Sequence, residues 1–317
     1  MIKLFDPDTN EELDYDSKKK QYFTKNKYFE KYMDIHDFFL SDNDNVTIKQ
    51  SLFYNSTLFP NYDDMDDYAS LYDKASKSIF AKKLDLEIPF GSNILEAGCG
   101  TGQMSIFLSR FKRTIHAIDI SKGSLILAKN FITKNNINNV HLYRMNIFKL
   151  FFQKNYFDVI ISNGVLHHTR DAELAFNNLV KYLKKDGLII IGLYHKYGRF
   201  IHNLRQKIIN VFGEKFKFID PRFRENISLK KKNSWFLDQY KNPFEKNYTV
   251  SEVLEWFQNN NIQYISSIPI DFNVDEPLFK KKILNNKKIL LFKEFMQLFN
   301  PQQIKEAGFF VIIGKKI

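Results

Sequence analysis

A glycine-rich turn lies between an apolar run and an amphipathic segment. Residues 94–103 read Ile-Leu-Glu-Ala-Gly-Cys-Gly-Thr-Gly-Gln, with glycine at every second position from Gly98 to Gly102. Alternate glycines let a backbone fold closely beneath a ligand that would collide with any Cβ atom. The N–H groups at the start of the following helix suit a carboxylate or a phosphate. The segment therefore predicts a strand, a ligand-binding turn and a helix.

The next apolar run carries an acid at its end. Asp119 follows residues 114–118 and lies about 20 residues after the glycines, where a ribose-binding acid is expected. The dinucleotide fingerprint also requires glycine at position 103, but the chain has Gln103 there. The pattern G-x-G-x-G, preceded by Glu96, is intact. The dinucleotide pattern therefore fails, while a nucleotide site of another kind remains.

Three segments together carry a resemblance to a known family. They are Glu-Ala-Gly-Cys-Gly-Thr-Gly-Gln at 96–103, Ile-Asp-Ile-Ser at 118–121, and residues 157–169, which contain Val-Leu-His-His. They resemble the class I S-adenosylmethionine-dependent methyltransferases, above all the small-molecule and quinone-type group. The resemblance covers residues 91–194 closely and the rest loosely. It implies S-adenosyl-L-methionine as cofactor and methyl transfer to O, N or C of a small or medium-sized acceptor.

The resemblance also implies roles for individual residues. Asp119 would accept hydrogen bonds from both ribose hydroxyls, and Asn163 would meet the methionine ammonium group. Asn146 stands where many relatives have Asp, and its side-chain carbonyl can still accept a bond from the adenine amino group. The cofactor-binding set implied is Glu96, Gly98, Gly100, Gly102, Gln103, Asp119, Ile120, Asn146, Ile147 and Asn163.

Two adjacent histidines are the first candidates for proton transfer. A histidine with a pKa near neutrality could take a proton from a hydroxyl or an amine, but a structural role for the pair is favoured over catalysis until geometry identifies a base. The candidate catalytic residues are His168, His167 and Tyr194. The candidate substrate-binding residues are Tyr72, His195, Trp235, Asp238 and Tyr240.

Seven apolar segments are predicted as strands, and helical patterns at 103–111, 121–136 and 171–184 separate the first five. This alternation predicts an α/β fold with a doubly wound, mostly parallel seven-stranded sheet. In the resembled family, with its Rossmann-like methyltransferase fold, the last strand is antiparallel and inserts between the fifth and sixth. The predicted strands are 92–98, 114–120, 140–146, 157–163, 187–194, 262–268 and 308–315.

The chain divides into an N-terminal extension, residues 1–60, and a methyltransferase domain, residues 61–317. The extension is faintly similar to a degenerate ribbon-like module with Asp6 and Thr9 in place of cysteines, so metal binding is not implied. Insertion 195–248 leaves the carboxyl edge of the sheet and is predicted to be a helical lid; a scaffold or oligomer contact is the alternative. A second insertion, 269–307, is predicted to be helical from 278 to 298.

Charge and composition constrain partners and compartment. The net charge is +11, and residues 195–248 contribute +8 through thirteen Lys and Arg against five Asp and Glu. This excess suits an anionic partner, or reflects biased composition. No apolar run approaches the roughly 20 residues that span a bilayer. No secretory signal is evident at the start, and the single cysteine excludes an internal disulfide. A cytoplasmic protein without a metal site is expected.

Two other functions remain open. The basic lid could support modification of tRNA or rRNA through phosphate contacts, although no recognised RNA-binding module is visible. A cofactor-binding fold without turnover could serve as a partner subunit, but the intact glycine turn and Asp119 argue against it. A small-molecule acceptor is therefore the expected partner. The sequence leaves the acceptor atom and the oligomeric state open.

Overall fold

A computed structural model describes residues 2–25, 27–40, 44–57, 62, 65–225, 228–283, 286–305 and 307–317. The strands are β1 (Asp14–Asp16), β2 (Gln21–Thr24), β3 (Lys27–Tyr28), β4 (Lys31–Tyr32), β5 (Ile35–Asp37), β6 (Asn93–Ala97), β7 (Thr114–Asp119), β8 (Val140–Arg144), β9 (Phe157–Asn163), β10 (Leu183–Tyr194), β11 (Ile262–Ile268) and β12 (Phe309–Lys316). The helices are α1 (Asn45–Ser56), α2 (Tyr68–Ala75), α3 (Ile79–Glu87), α4 (Gln103–Phe107), α5 (Lys122–Lys134), α6 (Ala172–Val180), α7 (Phe200–Phe212), α8 (Leu229–Tyr240), α9 (Val250–Asn259), α10 (Lys287–Met296) and α11 (Pro301–Lys305).

A mixed, mostly parallel sheet forms the centre of the molecule, in the order β11-β12-β10-β9-β6-β7-β8-β5-β4. Strands β10, β9, β6, β7, β8 and β5 are parallel to one another. Strand β12 is antiparallel to both of its neighbours, β10 and β11. The α/β fold class and the position of the last predicted strand are therefore confirmed.

Helices cover both faces of this sheet. Successive residues of a strand point to opposite faces, and Ile94 and Leu95 of β6 accordingly belong to two different hydrophobic clusters. One cluster includes Phe176 of α6 and Val253 of α9. The other includes Leu125 of α5. The sheet is therefore buried on both sides, which leaves its strand ends as the place for a ligand.

The predicted number of seven strands is wrong, because the sheet contains nine within the described residues. The N-terminal extension adds β5 and β4 beyond β8. His36 of β5 pairs with Tyr143 of β8, and Arg144 Nη1 donates to Asp37 Oδ2 at 3.0 Å. These added strands are two and three residues long, too short for a periodic signal, and they cover an edge that would otherwise be open.

Other boundaries also differ from the predictions. Strand β10 begins at Leu183, not 187, because Leu183 already pairs with Phe157 ahead of an irregularity before Leu188. Helix α6 accordingly ends at Val180, not 184. Helix α10 begins at Lys287, not 278. The predicted domain boundary at 60/61 lies outside the described residues.

The insertion 195–248 is largely helical. Helices α7 and α8 are joined by 3₁₀ turns at Glu214–Ile219 and Pro221–Arg224. Ile209, Phe236 and Tyr240 form a small hydrophobic cluster between them. Among the described residues there is no helix with the length and apolar character required to cross a bilayer.

Candidate active site

A cavity of about 650 Å³ opens at the carboxyl ends of the parallel strands, where open α/β sheets bind ligands. Glu96, Asp119, Asn163 and Tyr194, at or near the ends of four different strands, line its floor. Residues of α1, α2 and α8 line its walls. The cavity is large enough for a cofactor-sized ligand.

The glycine turn lies on the floor of this cavity. Gly98 has a φ of 82°, and a Cβ atom there would stand 2.3 Å from Cγ2 of Val165. Gly100 has a φ of 53°, and its N–H donates to Asp119 Oδ2 at 2.8 Å. Both positions lie in the left-handed region that favours glycine. The turn therefore depends on glycine for its conformation and for its contact with Val165.

Backbone N–H groups hold the carboxylate of Asp119 in place as a hydrogen-bond acceptor. Besides the Gly100 bond, its Oδ1 accepts from the Ser121 N–H at 2.7 Å. Burial raises the pKa of its carboxyl above the ordinary range, and the backbone N–H groups of Ser121, Gly100 and Ile120 oppose that rise. Each oxygen retains a lone pair for a further donor. A ligand with two neighbouring hydroxyls would suit this carboxylate.

Glu96 and Asn163 are two buried polar groups of the same floor. Glu96 accepts a hydrogen bond from Ser105 Oγ. Burial raises the pKa of Glu96 to about 7, an effect that Ser105 opposes and nearby Asp119 reinforces. Asn163 Oδ1 is buried and has no hydrogen-bond partner among the described residues. Unpaired buried acceptors are rare, and a cationic donor from a ligand would satisfy this one.

The remaining predicted cofactor residues fall into two groups. Ile120, Ile147, Gln103 and Asn146 line the cavity. The Asn146 side chain is already engaged, because its Oδ1 accepts from Phe148 N–H at 3.1 Å and its Nδ2 donates to the Leu40 carbonyl at 3.3 Å. Gly102 does not line the cavity; it is the N-cap of α4, with a φ of 77°.

His168 lines the cavity, and one of its ring nitrogens is hydrogen-bonded. Its Nδ1–H donates to the Phe244 carbonyl at 2.9 Å, since a carbonyl can only accept. This bond selects the tautomer in which Nε2 carries the lone pair. Burial lowers the pKa of His168, while Asp238 and Glu245 oppose that change. The neutral, proton-accepting imidazole is therefore the form present at neutral pH.

Tyr194, unlike His168, keeps its proton at neutral pH. Gln239 Nε2 donates to its phenolic oxygen at 2.6 Å, and the Arg199 guanidinium lies 3.4 Å from its ring centroid. Burial raises the pKa of Tyr194 well above its usual value of 10, although Arg199 opposes that rise. The phenol therefore keeps its proton and acts as a hydrogen-bond donor, not as a base.

Asp238 joins the insertion to the N-terminal extension inside the cavity. Tyr54 of α1 donates to its Oδ1 at 3.1 Å, and Gln239 Nε2 donates to its Oδ2 at 2.7 Å. Burial raises the pKa of Asp238, with His168 as the chief opposing group. Trp235, one turn earlier on α8, also lines the cavity. The structure thus brings the predicted Trp235, Asp238, His168 and Tyr194 into one place.

Besides Gly102, the four predicted residues His167, Tyr72, His195 and Tyr240 do not line the cavity, so the prediction is wrong for them. His167 is fully buried, without a partner for either ring nitrogen among the described residues, and burial holds its pKa well below 6.5. Tyr72 donates to Asp85 Oδ2 at 3.2 Å instead. His195 Nδ1 accepts from the Gly198 N–H at 3.2 Å, and Tyr240 donates to Asp220 at 2.6 Å. Each is engaged in the packing behind the cavity.

Several cavity residues were missed from the sequence. Thr47, Gln50 and Tyr54 of α1 line the cavity although they precede the predicted domain. Helix α1 has no apolar stripe that would have signalled its packing against the cavity. Gln239, whose polar group the sequence places beside Asp238 and Trp235, lines the cavity as well.

The sequence profile of a family described as "Methyltransferase domain" matches residues 90–261, more than half of the chain. The chain belongs to the class I S-adenosylmethionine-dependent methyltransferases. S-adenosylmethionine is accordingly its cofactor. The site fits this methyltransferase cofactor, because it offers a glycine turn, the buried carboxylate of Asp119 and an Asn163 oxygen that has no partner among the described residues.

Several curated methyltransferases are similar in sequence. Malonyl-[acyl-carrier protein] O-methyltransferase of Bacillus anthracis is 34% identical over 133 residues, 41% of this chain and 48% of that protein. The protein of the same name from Buchnera aphidicola is 27% identical over 224 residues, 70% of this chain and 83% of that protein. Ubiquinone biosynthesis O-methyltransferase of Pelagibacter ubique is 26% identical over 154 residues, which are 44% of this chain and 60% of that protein. The chain spans about half the length of the first of these methyltransferases.

Solved methyltransferase structures share the fold. Geranyl diphosphate C-methyltransferase from Streptomyces coelicolor matches 87% of this chain and 100% of its own, with a TM-score of 0.51 and 12% identity. PKMT2 from Rickettsia typhi matches 77% of this chain and 53% of its own, with a TM-score of 0.54 and 17% identity. At these identities the likeness shows the fold of the methyltransferases and nothing finer.

Cofactor binding is expected to release a proton when the pH is near or just below 7. Glu96 has its pKa raised to about 7, so much of it is protonated there. A bound cation beside the carboxyl favours the ionised form, so Glu96 loses its proton on binding and affinity rises with pH. Calorimetry in buffers of different ionisation heat measures this release. The Glu96→Gln variant should lose the buffer dependence; identical heats for the unchanged protein in all buffers would contradict the prediction.

Proposed function

We propose that this methyltransferase methylates an oxygen atom of a small or medium-sized acceptor, with His168 as the base that takes the hydroxyl proton. The observation that carries the proposal is the bond from His168 Nδ1–H to the Phe244 carbonyl. This bond leaves the lone pair on Nε2 free to take a proton from the hydroxyl of a methyl acceptor bound in the cavity, which His168 lines. General-base help of this kind typically contributes 10²–10⁴-fold.

The cofactor, when bound, supplies an electrophilic methyl group. Asp119 would hold the ribose hydroxyls, and Asn163 and Glu96 would hold the cationic methionine end. Asp119 lies on β7 and Asn163 on β9, while His168 follows β9 and Tyr194 ends β10. Along the sheet, the acceptor end is therefore displaced from the nucleoside end by two strands. Alignment of donor and acceptor in this way is a major source of rate enhancement.

The insertion 195–248 would form the wall of the acceptor end and act as its lid. It contributes Asp238 and Gln239 to the cavity, and Phe244 to the orientation of His168. Tyr194 would donate its phenolic proton to an acceptor oxygen. The similar malonyl-[acyl-carrier protein] and ubiquinone biosynthesis enzymes are both O-methyltransferases, which supports oxygen as the acceptor atom.

The proposal is tested with methyl-labelled S-adenosylmethionine and a panel of acceptors. The panel contains a catechol, a malonyl thioester of a carrier protein, a primary amine and bulk tRNA. We expect label on a hydroxyl oxygen of the catechol, because a malonyl carboxylate is already ionised at neutral pH and carries no proton for His168 to remove. Label confined to the malonyl thioester would support oxygen as the acceptor atom and contradict His168 as the base. Label confined to the amine would refute oxygen as the acceptor atom. Label confined to tRNA would favour a nucleic-acid enzyme through the basic insertion, and cofactor binding without transfer to any acceptor would favour a non-catalytic subunit.

A further inference from the structure

Helix α7 is apolar on its solvent side. Its buried residues are His202 and Ile209. Phe200, Leu204 and Val211 lie on the opposite side of the helix, within an arc of about 40° at 3.6 residues per turn. All three are exposed, Val211 to 74%. Because the core-facing side is already filled, this outer stripe has no role in packing the helix onto the protein.

Helix α10 is also apolar on its solvent side. Leu290, Glu294 and Gln297 are buried, and the opposite side presents Phe292, Phe295 and, in the following turn, Phe299. Phe292 is 63% exposed. An ordinary surface helix turns its charged residues to water and its apolar residues to the core. Here the side that faces water is aromatic.

The two helices lie close enough to be linked by their neighbours. The Tyr197 ring, one turn before α7, lies 6.0 Å from the ring of Phe295 on α10, and Arg205 Nη1 of α7 donates to the Ile304 carbonyl of α11 at 3.2 Å. Contiguous exposed apolar surface marks an interaction site. We call this surface the apolar platform; its residues are Phe200, Leu204, Val211, Phe292, Phe295 and Phe299.

Basic residues surround the apolar platform. Exposed Lys207 lies within the α7 stripe, and exposed Lys287 and Lys288 begin α10. Helix α7 has no acidic residue, and Glu294 of α10 is buried, where its carboxylate accepts from Ser251 N–H and Oγ at 2.9 Å each. The exposed charges of both helices are therefore positive.

We propose that the apolar platform docks on the surface of an anionic lipid bilayer. Apolar residues flanked by lysine are what a helix lying in the headgroup plane requires, and each nearby lysine adds electrostatic attraction to anionic lipid. Helices of 13 and 10 residues suit such a position, since neither is long enough to span the bilayer. A second copy of the chain would instead place like charges against each other.

The apolar platform lies on the same insertion as one wall of the cavity. Asp238 and Gln239 of α8 line the cavity, and His202 of α7 contacts the Gln239 carbonyl at 3.2 Å. Docking would therefore place the acceptor side of the cavity close to the membrane surface. The proposal goes beyond the methyl-transfer function and does not depend on it.

Co-sedimentation with vesicles tests the proposal. The full chain is mixed with vesicles of phosphatidylcholine alone, or of phosphatidylcholine with phosphatidylglycerol. We expect binding to the anionic vesicles only, weakened by salt. The double variant Phe292→Ser, Phe295→Ser should lower the partition coefficient by about tenfold or more, because two exposed aromatic side chains no longer enter the interface. Lys287→Glu with Lys288→Glu should abolish the preference for anionic lipid.

A matched control uses an exposed phenylalanine elsewhere. Phe90 is 67% exposed and precedes β6 at the amino ends of the strands, so Phe90→Ser should bind vesicles like the unchanged protein. Unchanged S-adenosylmethionine affinity would show that each variant is folded. The proposal is overturned if anionic vesicles leave the protein in the supernatant, if neutral vesicles bind it equally, or if the phenylalanine changes abolish self-association without affecting vesicle binding.

Discussion

Replacement of His168 by alanine is expected to lower kcat by about 10²- to 10⁴-fold, the usual contribution of a positioned general base. The affinity for S-adenosylmethionine should change little, because His168 lies at the acceptor end of the cavity. Steady-state kinetics with the oxygen acceptor identified by the labelling panel, together with calorimetry for the cofactor, measures the two quantities. A variant with unchanged kcat would remove His168 from the mechanism.

The matched control for His168 is His141. It is an exposed histidine on β8 and does not line the cavity, so His141→Ala should leave kcat unchanged. The pH profile gives an independent readout. Burial lowers the pKa of His168 below 6.5, so the active neutral form persists above that pH. At saturating cofactor, where the Glu96 effect on affinity is removed, kcat should fall only as the pH drops below about 6.5, and this acidic limb of kcat should vanish in His168→Ala.

Replacement of Gly98 by alanine is expected to raise the Kd for S-adenosylmethionine by about 10²-fold. The new Cβ atom would stand 2.3 Å from Val165 Cγ2, so the turn or Val165 must move, and both border the cavity. In the free variant the turn can relax to relieve overpacking of about 1–3 kcal/mol and left-handed strain of about 1–2 kcal/mol. Cofactor binding must then restore the original turn at that cost. Each 1.4 kcal/mol corresponds to a tenfold change in Kd. Calorimetry checks the result.

Gly91 separates the two contributions to that loss. It also has a left-handed φ, 71°, but a Cβ atom there would have no neighbour within 4 Å. Gly91→Ala should therefore show backbone strain alone and retain cofactor binding. Adding Val165→Ala to Gly98→Ala removes the two methyl groups at 2.3 and 2.5 Å and should recover part of the affinity. Equal Kd values for Gly98→Ala and Gly91→Ala would contradict the steric explanation.

The half of the cavity built from strand ends could be predicted from the sequence. Parallel strands bring their carboxyl ends to one edge, so Glu96, Asp119 and Asn163 meet once the strands are recognised. Tyr54 could not be found in this way, because the apolar residues of α1 form no single stripe and the helix belongs to the extension that the sequence separates from the domain. No local pattern indicates that β5 will join the sheet beside β8.

Helical periodicity explains one wrong prediction. Trp235, Asp238 and Gln239 of α8 line the cavity, whereas Phe236 and Tyr240, four residues apart, pack into the small cluster of the insertion. Residues three or four apart share a helical side, so Tyr240 could have been placed with Phe236. His167 and His168 differ for a related reason, since adjacent residues of a 3₁₀ turn point in different directions.

The position of β12 between β10 and β11 bears on how the molecule folds. Tyr194 pairs with Phe309, and Arg199 Nη1 donates to the Ala307 carbonyl at 2.7 Å, so both contacts close loops of more than a hundred residues. Pairings of such high contact order form late. The chain loses conformational entropy when it closes a long loop, and the contact stabilises the chain only after the loop is closed. The β6–β7 pairing beneath the glycine turn closes a far shorter loop. The nucleoside half of the cavity should therefore form early on the folding pathway, and the acceptor half should form last.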